Sequence, residues 1–169
     1  MDIIIGNLCS LLATVSDIFA SSRKKVRDFL LAQCIGQAFY ALCSIVLKGY
    51  SAAVQNGICI VRNVAAAYNI TGKAVEWCFV VLAVALGLVF NNLGWLGILP
   101  VAANLIYALA VVLTRERELV LKTAFLINIA CYIVFNVMIS NLVGAIFNVV
   151  LFISTLLFMV RSIRSKQEA

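Results

Sequence analysis

The chain has 169 residues, 64% of them hydrophobic and 12% charged, with a mean hydropathy of +1.10. A compact domain of that length has no interior large enough to hide so much apolar surface from water, so lipid is the solvent the composition requires. The net charge of +6 does not mark a nucleic-acid binder, because the basic residues cluster between apolar stretches. Histidine is absent and the six cysteines lack CxxC spacing, which argues against a zinc centre or a His-based triad.

Breaks at charges and at Asn/Gly/Ser clusters leave seven stretches near the ~20 residues that a helix needs to cross hydrocarbon. The first, 3–20, begins in "MDIIIG", which lacks the basic n-region of a signal peptide and reads as a retained span. It carries Asn7, Ser10, Thr14 and Asp17 on one helical face. The second, 29–47, carries Gln33, Gln37, Tyr40 and Ser44 in the same way. The third, 51–70, contains "VQNGICIVRN", a polar cluster of Gln55, Asn56, Arg62 and Asn63 at a depth where lipid tolerates none without a partner or a purpose. The fourth, 76–91, is the odd helix of the set. The fifth, 94–114, is interrupted by Pro100 and Asn104, and a kink at Pro100 would serve as a hinge. The sixth, 122–139, shows Asn128, Tyr132 and Asn136, and the seventh, 142–160, shows Asn148 and Thr155. The short links "KGY", "NNLG" and "SNL" make antiparallel hairpins, and Trp77 and Trp95 suit interfacial anchors.

Charge sets the orientation. With the N-terminus outside and the C-terminus in the cytoplasm, the inner loops receive Arg23, Lys24, Lys25, Arg27, Lys73, Arg115, Arg117, Lys122, Arg161, Arg164 and Lys166, and the outer loops receive only Lys48. A shift of 92 residues then superposes spans and loops: "SSRKKVRD" falls on "LTRERELV", Tyr40 on Tyr132, Ser44 on Asn136, and Asn56 on Asn148. The expected fold is therefore an all-α membrane protein of seven transmembrane helices. Two parallel three-helix bundles, 1–72 and 93–169, are joined by a linker helix, 73–92.

The stretch "RKKVRDFLLAQCIGQAFYALCSIVLKGYSAAVQNGICIVRN", with Asn56 followed by Arg62-Asn63, resembles the bacterial inner-membrane proteins of YgjV type. The tail "NVMISNLVGAIFNVVLFISTLLFMVR", with Gly144, Ser154 and Arg161, is similar to that family's closing span. The resemblance implies a bacterial inner-membrane location and a layout similar to SWEET sugar facilitators and PnuC vitamin transporters. In the SWEET family an Asn on the third helix of each bundle contacts substrate, and Asn56 and Asn148 match that position in the repeat.

Arg62, counted in from Ser51, sits about 17 Å deep, and Asp17, the one acid well inside a span, sits at a comparable ~22 Å. Their equivalents at Leu109 and Ser154 have lost both charges together, so an Asp17–Arg62 bridge, mainly structural, is expected. An Arg62 that faces a cavity and binds an anion, or that snorkels to the interface, are the alternatives. Asn56 and Asn63 share a face, which Asn148 and Thr155 repeat. Substrate contact is expected at Asn56, Asn148, Tyr40, Tyr132, Ser44, Asn136, Asn63 and Asn104, against the plainer reading of interhelical hydrogen bonds. Tyr107 is a further cavity-wall candidate.

The functional expectation is a facilitator that moves a small, mostly neutral polar metabolite (a sugar, nucleoside or vitamin) by alternating access. No metal, cofactor or enzymatic role is expected. The partners are the substrate and the bilayer, with no nucleic acid, and pairing into a homo-oligomer is left open. The alternative is a non-transporting receptor or scaffold built on the same bundle.

Overall fold

Runs of Leu, Ile, Val and Ala broken only at short polar links favour helices, because in lipid a helix satisfies its own backbone groups. The computed structural model describes residues 1–70, 72–113 and 118–167. Among these residues all regular structure is helical: α1 (Asp2–Ser21), α2 (Val26–Val46), α3 (Tyr50–Ala67), α4 (Lys73–Val89), α5 (Trp95–Leu113), α6 (Glu118–Met138) and α7 (Leu142–Gln167). Arg115 and Arg117 lie outside the described residues, as do the side chains of Arg161, Arg164 and Lys166.

Four helices, over Asp2–Ala20, Arg27–Val46, Trp95–Leu113 and Leu119–Met138, are long and apolar enough to cross a membrane, and Leu142–Leu157 is a shorter apolar stretch. The 17 residues of α4 fall just short in length. In α3 the limiting factor is the polar cluster itself, carried on 18 residues. This helix also stops earlier than the sequence suggested. Asn69 takes a left-handed φ of 60°, and the Ile70 amide folds back onto the Ala65 carbonyl, a Schellman-type stop.

Helix α1 packs on α2 and α2 on α3; α5 packs on α6 and α6 on α7. The two sets meet where α3 touches α5 and where α1 touches α7, and α4 lies against α3 and α5. Among the described residues α1 and α3 do not meet, because α2 stands between them. Small residues allow these approaches: Ala13, Ala20, Ala52, Ala67, Ala103, Ala124 and Ala145 are buried, and Gly6, Gly36, Gly87 and Gly144 have no room for a Cβ. Without a hydrophobic drive between helices in lipid, such close backbone contact is what holds them. The outer faces are apolar, as at Ile4, Ile18, Val81, Val89 and Ile146.

The hairpin turns α2–α3 and α6–α7 are built alike. Lys48 and Ser140 both take left-handed φ values, 59° and 61°. The Gly49 amide bonds the Ser44 carbonyl at 2.7 Å, and the Asn141 amide bonds the Asn136 carbonyl at 2.8 Å. Each turn is also clamped by an Asn from elsewhere. Asn92 Nδ2 donates to the Lys48 carbonyl (2.7 Å) and its Oδ1 accepts from the Tyr50 amide (3.2 Å). Asn7 Nδ2 donates to the Ser140 carbonyl (2.9 Å) and its Oδ1 accepts from the Val143 amide (2.9 Å).

Candidate functional site

Where α3 meets α5, polar side chains bond one another across four helices. Gln55 Nε2 donates to the Ala83 carbonyl of α4 at 2.7 Å. Asn104 Nδ2 donates to Gln55 Oε1 (3.0 Å) and to the Tyr132 hydroxyl of α6 (3.1 Å). Asn128 Nδ2 donates to Asn104 Oδ1 at 3.2 Å. Helix α4 closes over this point because Gly87 has no side chain: a Cβ there would meet Gln55 Nε2 at 2.5 Å and Val101 Cγ2 at 2.6 Å.

Beside the network a cavity of about 400 Å³ opens between α3, α4 and α5. Gln55, Cys59, Arg62, Asn63, Asn104 and Tyr107 line it, together with apolar side chains such as Ile58 and Phe79. Ile70, Val75 and Glu76, around the α3–α4 link, lie at one end, and Gln55, Ala83 and Asn104 at the other. Gln55, Cys59, Arg62 and Ala66 recur at helical spacing and form the α3 wall. Asn63, also on the lining, is held by α2, since its Nδ2 donates to Gln33 Oε1 at 3.0 Å. The volume suits a small metabolite, and the mixture of apolar wall and a few convergent polar groups is what small-molecule sites have in common.

The expected ion pair is not made. Arg62 is exposed and its Nη2 donates to Cys59 Sγ at 3.0 Å, one turn away. Asp17 faces α2, its carboxyl against Gly36, and Oδ1 is buried without a hydrogen-bond partner. The physical reason is the intervening α2. Comparing depth alone paired two residues on helices that never touch. The early stop of α3 also brings Arg62 to about 7–8 Å from the helix end, nearer the interface than the sequence count placed it.

The other candidates divide. Asn63 and Asn104 line the cavity, whereas Asn56, Asn148, Tyr40, Tyr132, Ser44 and Asn136 do not. The Tyr40 hydroxyl lies 3.3 Å from Thr14 Oγ1, and Tyr132 is bonded to Asn104, so each repeat-related Tyr ties a middle helix to the first helix of its own set. Asn136 accepts from Asn141 Nδ2 at 3.0 Å. Ser44 is buried, and Pro100 lies fully buried inside α5. Asn56 and Asn148 are half-buried, and their side chains form none of the hydrogen bonds among the described residues. Gln55, which joins α3, α4 and α5, had no role assigned from sequence. Its place on the Cys59–Arg62–Ala66 stripe was the available signal.

No metal-binding group of three or more His, Cys, Asp or Glu occurs among the described residues. No curated protein and no solved structure matches the chain. Residues 4–166 match the family model Imp-YgjV, described as a bacterial inner membrane protein, and the chain belongs to that family.

Proposed function

We propose that this inner-membrane family member is a facilitator that moves a small polar metabolite by alternating access. The observation that carries the reading is the cavity of about 400 Å³ at the α3–α5 seam, lined by the amides Gln55, Asn63 and Asn104 and reaching the residues of the α3–α4 link. Support comes also from the repeat. The α3–α5 contact corresponds to the α7–α1 contact, and the backbone bonds of the two hairpin turns match under the 92-residue shift. Two such halves, 1–72 and 93–169, rocking about their seams with α4 as linker, are what parallel-repeat transporters use. All seven helices would cross the bilayer, with the N-terminus outside. The α3–α4 end of the cavity then faces the cytoplasm, on the side of Arg27 at the start of α2, and Pro100 is the hinge.

The test is counterflow in proteoliposomes, with labelled sugars, nucleosides and vitamins. Saturable counterflow that Asn104→Ala abolishes is the expected result. Loss in Asn56→Ala and Asn148→Ala as well would extend the path to the two amides that have no partner among the described residues. Absence of flux for every compound, in protein shown to be folded, would sink transport and favour a receptor.

A further inference from the structure

With the Asp17 bridge gone, Arg62 stands on the cavity lining as an exposed cation whose side chain bonds Cys59 in place of Asp17. The bond it makes among the described residues, to Cys59 Sγ, uses one of five guanidinium donors. Glu76 lines the cavity too, at the first turn of α4, and already has a partner of its own. Near the α3–α4 end two basic residues, Arg27 and Lys73, stand with two acids, Asp28 and Glu76. Arg27 lies with its guanidinium 5.0 Å from the Tyr68 ring centroid at the end of α3, and Lys73 is exposed at the start of α4. A guanidinium beside a low-dielectric wall attracts anions. Deeper, Gln55 is seven residues from Arg62 on the same face, about 10 Å along the helix.

We propose that this cavity binds a small organic anion: its carboxylate or phosphate pairs with Arg62, its apolar body lies along Ile58 and Phe79, and a polar group about 10 Å away meets Gln55 and Asn104. This deepens the transport reading by exchanging a mostly neutral substrate for an anionic one. Movement of the anion across the bilayer rests on that reading; its binding does not. The anion has two sources, a soluble metabolite or a phospholipid headgroup, and both would use the same guanidinium.

Cys59, on the cavity wall beside Arg62, supplies the assay. Full-length protein in phosphatidylcholine nanodiscs is treated with two thiol reagents of similar size, anionic sulfonatoethyl and cationic trimethylammonioethyl methanethiosulfonate. Modification of Cys59 is followed by peptide mass spectrometry. With each rate divided by that reagent's rate toward free 2-mercaptoethanol, the anionic reagent is expected to react ~10-fold faster or more. That ratio falls toward one in Arg62→Gln and survives in Arg62→Lys. Both reagents meet the same thiol, so a change in thiol reactivity cancels from the ratio. Benzoate slows the reaction and benzyl alcohol does not. Protection by added phosphatidylglycerol that benzoate cannot increase identifies the headgroup as the source; benzoate protection indifferent to that lipid identifies a soluble anion.

Equal rates in wild type, no reaction at Cys59 with either reagent, or a ratio unchanged in Arg62→Gln overturns the proposal. So does a failure of both benzoate and phosphatidylglycerol to protect. The wild-type measurements need no variant to fold. Benzoate protection without counterflow of any compound retires transport and keeps the anion site. Counterflow with equal labelling rates does the reverse.

Discussion

The two seams of the molecule, α3 against α5 and α7 against α1, occupy equivalent places in the repeat and differ in chemistry. At the first, Gln55 and Asn104 bond each other at 3.0 Å beneath α4. The 92-residue shift puts Phe147 at the place of Gln55 and Leu12 at the place of Asn104, and both are exposed. The second seam is held nearer its end instead, by Asn7 on the turn and by Gly144, where a Cβ would meet Ser10 Oγ at 3.0 Å. Helix α4 covers only the first. The two seams thus share matched turns but differ in where their polar bonds lie: mid-helix at Gln55 and Asn104 in the first, at the turn through Asn7 and Asn141 in the second.

The strongest challenge to that contrast is steric. Gly87→Leu drives a side chain into Gln55 and Val101, and a loss of about 1–3 kcal/mol is expected in detergent unfolding, together with the cavity's function. The Cβ position of Gly57 faces open space, so Gly57→Ala is the control and should barely move the midpoint. Next comes the network. Asn104→Leu leaves Gln55 Oε1, Asn128 Nδ2 and the Tyr132 hydroxyl short of a partner and should cost about 2 kcal/mol, at roughly 0.6–1.7 per interhelical bond. Leu12→Ala, at the matching place, should stay within about 0.5 kcal/mol. Equal costs at both positions would erase the distinction between the seams.

The clamped turns offer a finer comparison. Asn92→Ala and Asn7→Ala each remove two bonds to a turn and should cost about 1 kcal/mol apiece. Amide exchange should quicken at Tyr50 in the first and at Val143 in the second. The smallest effect is a coupling. In a double-mutant cycle Asp17→Asn and Arg62→Gln should be additive within about 0.5 kcal/mol, since α2 separates them. A coupling above about 1 kcal/mol would restore the bridge.

Much of this frame was legible in the sequence. Apolar run length and short polar links place seven helices, six of them to within about four residues, while α7 runs to Gln167 and not 160, and the turns at Lys48 and Ser140 match under the 92-residue shift. Partners were harder to read. Periodicity gives the face of a helix and not the neighbour that the face meets, so Asp17 and Arg62 were paired across a helix that intervenes. The same limit hid Gln55, whose importance depends on Gly87 admitting α4 and on Asn104 arriving from α5. Amides inside apolar spans singled out Asn63, Asn104, Asn56 and Asn148 alike, and only the first two line the cavity.

The clamps also bear on the order in which the nascent chain completes itself. The first hairpin turn emerges before its clamp exists, since Asn92 comes 44 residues after Lys48. The second meets a clamp already made, because Asn7 precedes Ser140 by 133 residues. During synthesis from the N-terminus the early half therefore has one turn unfastened until Asn92 is made, while the late turn closes onto a residue already present. Ribosome arrest just before residue 92 should leave the first turn open to protease, and arrest just after α5 has inserted should protect it.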